Sequence, residues 1–311
     1  MSAFASPDLN PLVLPADLTQ VDGRRAGPAP DEYALALAAA RRALTPCGDA
    51  SLVWHVWGED GADPALAPLV LLHGGSGSWT HWLRNVLPLA ASGRRVYVPD
   101  LPGFGDSALP PAGADADAAP GPIEQGLAQL LGNAACDVAG FSFGGLVAGL
   151  LASQFPARVA RLVLLGAPGF GIEPLQPFKL KGWRHLDSAE QRQAVHHHNL
   201  QALMLHDPAA ITPFVCQLQA TNAERDRLPG RRLARTDILA RTLPELRCPV
   251  LALYGEQDPF YKGQTALYEV ALRQAPGFQT LGAIAEAGHW AQFERAAAFN
   301  AALLALLDRP R

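Results

Sequence analysis

CDVAGFSFGGLVAGLL, residues 136–151, joins one apolar run to another through a serine set among glycines. Cys136 to Phe141 have the length and unbroken apolarity of a buried strand. Leu146 to Leu151 open a buried helix, packed closely enough to require Gly144, Gly145 and Gly149. The GFSFG between them matches the G-x-S-x-G turn from strand to helix, in which the serine takes a strained backbone conformation. The flanking Gly140 and Gly144 leave out the Cβ atoms that would collide across so sharp a bend. Such a turn lifts the Ser142 hydroxyl above the sheet edge. It also aims the first N–H groups of the helix at the same point, where a carbonyl oxygen under attack would gather negative charge. A serine between glycines is often only a turn, so the rest of the chain has to supply a base, an acid and a second donor.

Outward from this turn, the chain from Ser51 on alternates strand and helix patterns, as in an α/β protein whose mostly parallel sheet is covered by helices on both faces. Strands are expected at residues 52–57, 69–72, 95–99, 136–141, 161–166, 250–255 and 279–284, and helices at 82–91, 124–133, 143–155, 263–274 and 290–307. Residues 170–244 carry no strand signal and two helical segments, 188–205 and 208–225. That is too long for a connection. The core is therefore read as residues 51–169 and 245–311, with residues 170–244 as an inserted helical cap. Residues 1–50 precede it: an irregular arm over 1–30, rich in Pro, Ala, Asp and Gly, and a short helix at 31–42. That helix has Asp31 and Glu32 at its start and Arg41 and Arg42 at its end, to suit the dipole.

With 311 residues, 49% of them hydrophobic and 17% charged, the chain can bury a large core. A net charge of −4, with no long run of Lys or Arg, leaves no electrostatic footprint for nucleic acid or an anionic membrane, so a small-molecule substrate is expected. Cys47, Cys136, Cys216 and Cys248 lie far apart without metal-type spacing and read as reduced core residues of a cytoplasmic protein. No basic leader and no membrane-spanning apolar run is apparent. The arm and the exposed cap each offer a surface for a homodimer, though no residue demands one.

The strand ending at Leu72 runs into HGGSGSW, residues 73–79. Its glycines allow close backbone approach, while the absence of a following GK[ST] rules out a P-loop. The Gly75 N–H is read as the second oxyanion donor, with the Phe143 N–H as the first. His73 is read as a brace for this loop. GEQDPF follows the strand at 250–255 and places Asp258 on the loop beyond its carboxyl end. Its neighbour Glu256 sits where turn geometry points a side chain outward. The last strand leads into EAGHWAQF and puts His289 on the corresponding loop, completing the order Ser, Asp, His. His196, His197 and His198 are consecutive on a helix and point about 100° apart, so they do not converge on a metal ion. Nothing in the sequence calls for a metal or a cofactor.

From residue 51 to the end, HGG, DLPGFGDS, GFSFGG, GEQD and AGHW follow one another in the order and spacing of the α/β-hydrolase superfamily with a helical cap, which the chain resembles. The ending AGHWAQFERAAAFNAALL is similar to that of the meta-cleavage product hydrolases, which cleave a carbon–carbon bond beside a vinylogous ketone. Those proteins generally carry Asn before the nucleophile, where this chain has Phe141, and a cap arginine that grips the substrate carboxylate, where this chain has Gln219. Arg225 and Arg227 stand near that position but out of register. The resemblance therefore implies a serine hydrolase with Ser142 as nucleophile, His289 as base and Asp258 as acid. Its expected substrate is a small, largely apolar carboxylic ester, thioester or lactone. Carbon–carbon bond hydrolysis is the alternative, and a fold-retaining binding protein without turnover is the reading from another class. Trp79, Trp183, Met204, Phe214 and Trp290 are the expected walls of an apolar pocket between cap and sheet, opening by movement of the cap.

Overall fold

The computed structural model describes residues 30–309; apart from Pro30, the arm expected over residues 1–30 lies outside this range. The described chain opens with α1 (Pro30–Ala38), then the strands β1 (Arg41–Cys47), β2 (Ala50–Trp57) and β3 (Leu69–Leu72). After α2 (Val86–Ala91) come β4 (Val96–Pro99), α3 (Pro120–Leu131), β5 (Cys136–Phe141), α4 (Phe143–Gln154) and β6 (Val159–Leu165). The segment between β6 and β7, expected as the cap, carries α5 (Ala189–Asn199), α6 (Pro213–Glu224) and α7 (Ile238–Thr242). The chain ends with β7 (Val250–Gly255), α8 (Thr265–Leu272), β8 (Phe278–Ile284), α9 (Ala291–Glu294) and α10 (Ala296–Leu307). The strands form one sheet in the order β1-β2-β4-β3-β5-β6-β7-β8. The first two pairings are antiparallel and the other five parallel.

Alternation along the central strands sorts side chains between two cores. Val70, Leu72, Val138, Leu162, Leu164, Val250 and Ala252 belong to one, with α3 and α4. Leu69, Leu71, Ala139, Phe141, Val163, Leu165, Leu251 and Leu253 belong to the other, with α2, α9 and α10. Both faces of the sheet are thus dry, which is why β3 and β5 to β7 read as continuous apolar runs.

Two expectations need correction. The helix expected at 31–42 ends at Ala38, and Arg41 and Arg42 belong to β1, paired with Val56 and His55. The sheet therefore begins ahead of residue 51, and Arg41 pairs with Glu59 rather than with a helix dipole. In the cap, the segments expected at 188–205 and 208–225 are each divided. α5 ends at Asn199 and passes into a π-helical turn, Leu200–Met204. α6 starts only at Pro213, where the Thr212 side chain accepts from the Val215 N–H and Pro213 needs no hydrogen bond at the first position.

Candidate active site

Ser142 stands between β5 and α4 with φ 51° and ψ −120°, a left-handed backbone that a residue with a Cβ adopts only under constraint. The constraint is packing. A Cβ on Gly140 would meet the Gly144 carbonyl, and one on Gly144 would meet the Leu72 and His73 carbonyls, so only glycines let β5 turn into α4 beside β3. The Ser142 N–H is held by the Leu165 carbonyl at 2.8 Å. The Phe143 N–H heads α4 and has no helical partner.

His289 and Asp258 arrive on the loops after β8 and β7. His289 Nε2 lies 2.9 Å from Ser142 Oγ, and its Nδ1 lies 2.7 Å from Asp258 Oδ2. Asp258 is wholly buried, and its other oxygen accepts the Phe260 N–H at 2.9 Å, which fixes the carboxylate plane. The His289 ring is flanked by Phe141 and Phe260, with centroids 4.9 and 5.2 Å away. Glu256 points outward: it is exposed, and its carboxylate accepts the Glu286 N–H.

On the other side of Ser142 runs the glycine loop after β3. His73 is buried beneath it, with Nδ1 2.8 Å from the Gly74 carbonyl while Nε2 accepts the Leu101 N–H at 2.8 Å. Burial lowers its pKa. His81, unremarked in the sequence, holds the loop as well: its Nδ1 accepts the Gly74 N–H at 3.2 Å, and burial pushes its pKa down to about 3.

Gly75, Ser142, Phe143 and His289 face a cavity of about 780 Å³ beneath the cap. Of the expected pocket walls, Trp183 and Met204 line it, as does Phe178. Trp79, Phe214 and Trp290 do not. Trp79 is buried against Tyr33, His55 and Trp57, and Phe214 belongs to the core under α6. Trp290 is wholly buried, stacks on Phe293 and donates from Nε1 to the His81 carbonyl at 2.9 Å. Each ring finds its apolar surroundings in the core beneath the glycine loop or beneath the cap.

Arg225 and Arg227 are engaged elsewhere, the first with Asp106 and the second with the Gly105 and Ser107 carbonyls. Gln219 lines the cavity and donates from Nε2 to the Ser76 carbonyl at 3.1 Å. Two arginines absent from the expectation, Arg231 and Arg235, also line it. Arg231 Nη1 lies 2.5 Å from where a Gly75 Cβ would stand, so its guanidinium covers the face of the glycine loop. Arg231 also bonds Asp226 at 2.9 Å and Ser76 Oγ at 3.2 Å. No local motif announces the contact with Ser76, because it joins parts of the chain about 150 residues apart.

The profile of the alpha/beta hydrolase family matches residues 69–302. Among characterised relatives, the chain is 31% identical to a 2-hydroxy-6-oxononadienedioate/2-hydroxy-6-oxononatrienedioate hydrolase of Cupriavidus pinatubonensis, over 75% of this chain and 83% of that protein. It is 30% identical to a 2-hydroxy-6-oxo-6-phenylhexa-2,4-dienoate hydrolase of Burkholderia cepacia, over 75% of this chain and 84% of the relative. Among solved structures, a carboxylesterase from Bacillus subtilis superimposes with a TM-score of 0.69 at 20% identity, over 89% of this chain and 96% of the other. A variant of a meta-cleavage product hydrolase superimposes with a TM-score of 0.69 at 22% identity, over 88% and 99%. At such identities the two superpositions speak for the fold alone. Among the described residues no helix is long and apolar enough to cross a membrane.

Proposed function

The chain belongs to the alpha/beta hydrolase family and is a hydrolase, and on that premise we propose that it breaks a carbon–carbon bond beside a carbonyl in a small, largely apolar substrate that bears a carboxylate. The observation that carries this reading is Arg231, a cationic fork on the cavity wall against Gly75. It brings to the cavity a positive charge that Gln219 lacks, with Nη1 on Ser76 Oγ and Nη2 on Asp226. The relatives are named as hydrolases of 2-hydroxy-6-oxo compounds that bear one or two carboxylates, which makes the carbon–carbon reading the stronger one over the ester hydrolysis expected from the sequence.

In this reading His289 takes the Ser142 proton as Oγ attacks the carbonyl carbon, and Asp258 fixes the imidazole tautomer and balances its charge. The Gly75 and Phe143 N–H groups stabilise the oxyanion, each donor being worth about 3 to 4 kcal/mol of barrier. Collapse breaks the bond to the leaving carbon, whose electron pair spreads into the conjugated ketone as an enolate, and that enolate then takes the proton from His289. Water, deprotonated by His289, then releases the acyl group and restores Ser142.

A second reading, hydrolysis of a carboxylic ester, thioester or lactone by the same groups, is favoured by Phe141. It is buried and apolar beside His289, where the carbon–carbon hydrolases generally have Asn. The test is a direct comparison of kcat/KM for a 2-hydroxy-6-oxo-dienoate and for p-nitrophenyl esters of rising acyl length. Faster dienoate turnover, lost in Arg231→Met while ester turnover persists, supports the first reading. Ester turnover without dienoate turnover replaces it with the second.

A further inference from the structure

Ser76 follows Gly75 and is one of three non-glycine residues with positive φ among the described residues, at 48°. A serine stays in that region only when its surroundings hold it there. Among the described residues, every side chain that bonds Ser76 belongs to the cap. Its hydroxyl donates to Asp226 Oδ2 at 2.6 Å and accepts from Arg231 Nη1 at 3.2 Å, while its carbonyl accepts from Gln219 Nε2 at 3.1 Å. The grip continues along the loop, where Ser78 Oγ donates to Asn222 Oδ1 at 2.8 Å and Asn222 Nδ2 donates to Thr80 Oγ1 at 3.0 Å. The Asp226 carboxylate is itself fixed by Arg231 at 2.9 Å and is nearly buried, at 6% exposure. Held this way, it accepts from the short, strained residue next to the proposed donor, and a charged acceptor in a dry site makes a strong hydrogen bond.

We propose that Asp226 is a positioning residue for the reaction: by holding Ser76 in its left-handed conformation it sets the direction of the Gly75 N–H. The oxyanion site is then complete only while the cap is seated. Lifting the whole cap, the opening expected from the sequence, would also release the donor loop, so closure over substrate and assembly of the site are one event. This rests on Ser142 and Gly75 acting as proposed above, but not on which bond is cleaved.

The test measures the rate at which a fluorophosphonate modifies Ser142, followed by intact mass, because phosphonylation needs the same base and the same oxyanion donors whatever the natural substrate. Asp226→Ala should slow it tenfold or more and lower kcat for p-nitrophenyl butyrate in parallel. KM should stay within threefold, and the pH inflection should not move. Asp226→Asn, which keeps an acceptor for the Ser76 hydroxyl, should recover most of the loss. Ser76→Ala, which leaves the Asp226–Arg231 pair intact, should resemble Asp226→Ala and serves in its place if that variant does not fold. Wild-type rates in both Asp226→Ala and Ser76→Ala overturn the proposal. So does an Asp226→Asn variant as slow as Asp226→Ala, since the ion pair and not the hydroxyl contact would then matter. A wild-type protein that is phosphonylated yet hydrolyses neither ester nor dienoate sinks the proposed function and leaves the phosphonylation comparison standing. A wild-type protein that takes no adduct overturns both.

Discussion

Gly255 and Gly288 cross so closely that a Cβ on Gly255 would fall onto the Gly288 carbonyl oxygen. Gly255 ends β7 just ahead of the loop that carries Asp258, and Gly288 precedes His289, so their contact sets how near the carboxylate comes to the imidazole. Hydrogen bonds from the Glu256 N–H to the Ile284 carbonyl and from the Gln257 N–H to the Ala287 carbonyl, at 2.9 and 2.8 Å, close the seam. Gly255→Ala forces a methyl group against the Gly288 backbone and should cost about 1 to 3 kcal/mol. It should also lower kcat by more than the loss of folded protein explains, because the Asp258–His289 distance opens. Calorimetry beside kcat checks this, and a variant with unchanged kcat would show that the two loops are positioned by other contacts.

The line Ser142, His289, Asp258 should behave as a unit. Ser142→Ala, His289→Ala and Asp258→Asn are each expected to lose about 10⁴-fold or more in kcat while staying folded. The Ser142 and His289 losses should not add, since without one the other has nothing to do. Glu256→Gln, at the surface, should change stability by about 0.5 kcal/mol at most and leave turnover intact. Additive losses, or greater damage from Glu256→Gln than from Asp258→Asn, would remove this assignment.

His55 and His81 are almost wholly buried, and burial pushes each pKa from 6.5 down to about 3. Acceptance of the Gly74 N–H by His81 Nδ1 requires the neutral ring. In the unfolded chain both protonate near 6.5, so the unfolded state binds more protons between that pH and about 3. Their stabilising contribution is complete above 6.5 and is lost as pH falls toward 3, at about 1.4 kcal/mol per pH unit for each histidine as an upper bound. Buried Asp100, whose pKa is raised by burial, acts in the opposite sense above its unfolded value of 3.8. The difference between wild type and His55→Gln isolates one histidine. Its melting temperature should fall less steeply from pH 7 to pH 5, and an unaltered slope would contradict the assignment.

The central sheet was legible because its strands are buried on both faces: unbroken apolar runs such as residues 69–72 and 136–141 have few other uses. Ser142, Asp258 and His289 were legible because each sits just past a strand end, where topology converts sequence order into proximity. β1 was misread, since RRALTPC shows two arginines and a proline, tolerable only at a sheet edge. The turn after it could have been found: Gly48, at φ 61°, and Asp49 form a two-residue link between paired Cys47 and Ala50, and a glycine followed by aspartate is a hairpin signal. Arg231, Asp226 and Asn222 left no trace in the sequence. Their partners lie in a loop about 150 residues away, and nothing local distinguishes them from solvated cap residues.

The aromatic and sulfur side chains near the site divide into wall and core, and substitution should divide them the same way. Met204 is half-buried, lines the cavity from the π-helical turn after α5, and uses its carbonyl to hold the Trp290 N–H at 2.8 Å. That backbone contact survives truncation, and the space left by the side chain joins a cavity that already exists. Met204→Ala should therefore cost less than the 2 to 5 kcal/mol typical of a buried deletion and shift preference toward longer or bulkier acyl groups. Phe214→Ala empties a site in the core and should cost about 3 to 5 kcal/mol with chain-length preference unchanged. Trp290→Ala should cost as much and also slow turnover, because it removes the indole that packs under His81 next to His289. A panel of p-nitrophenyl esters, with urea midpoints for the same variants, separates the cases. If Met204→Ala lost several kcal/mol and left the chain-length profile unmoved, the wall would have to be drawn elsewhere, with Phe178 and Trp183 the next to substitute.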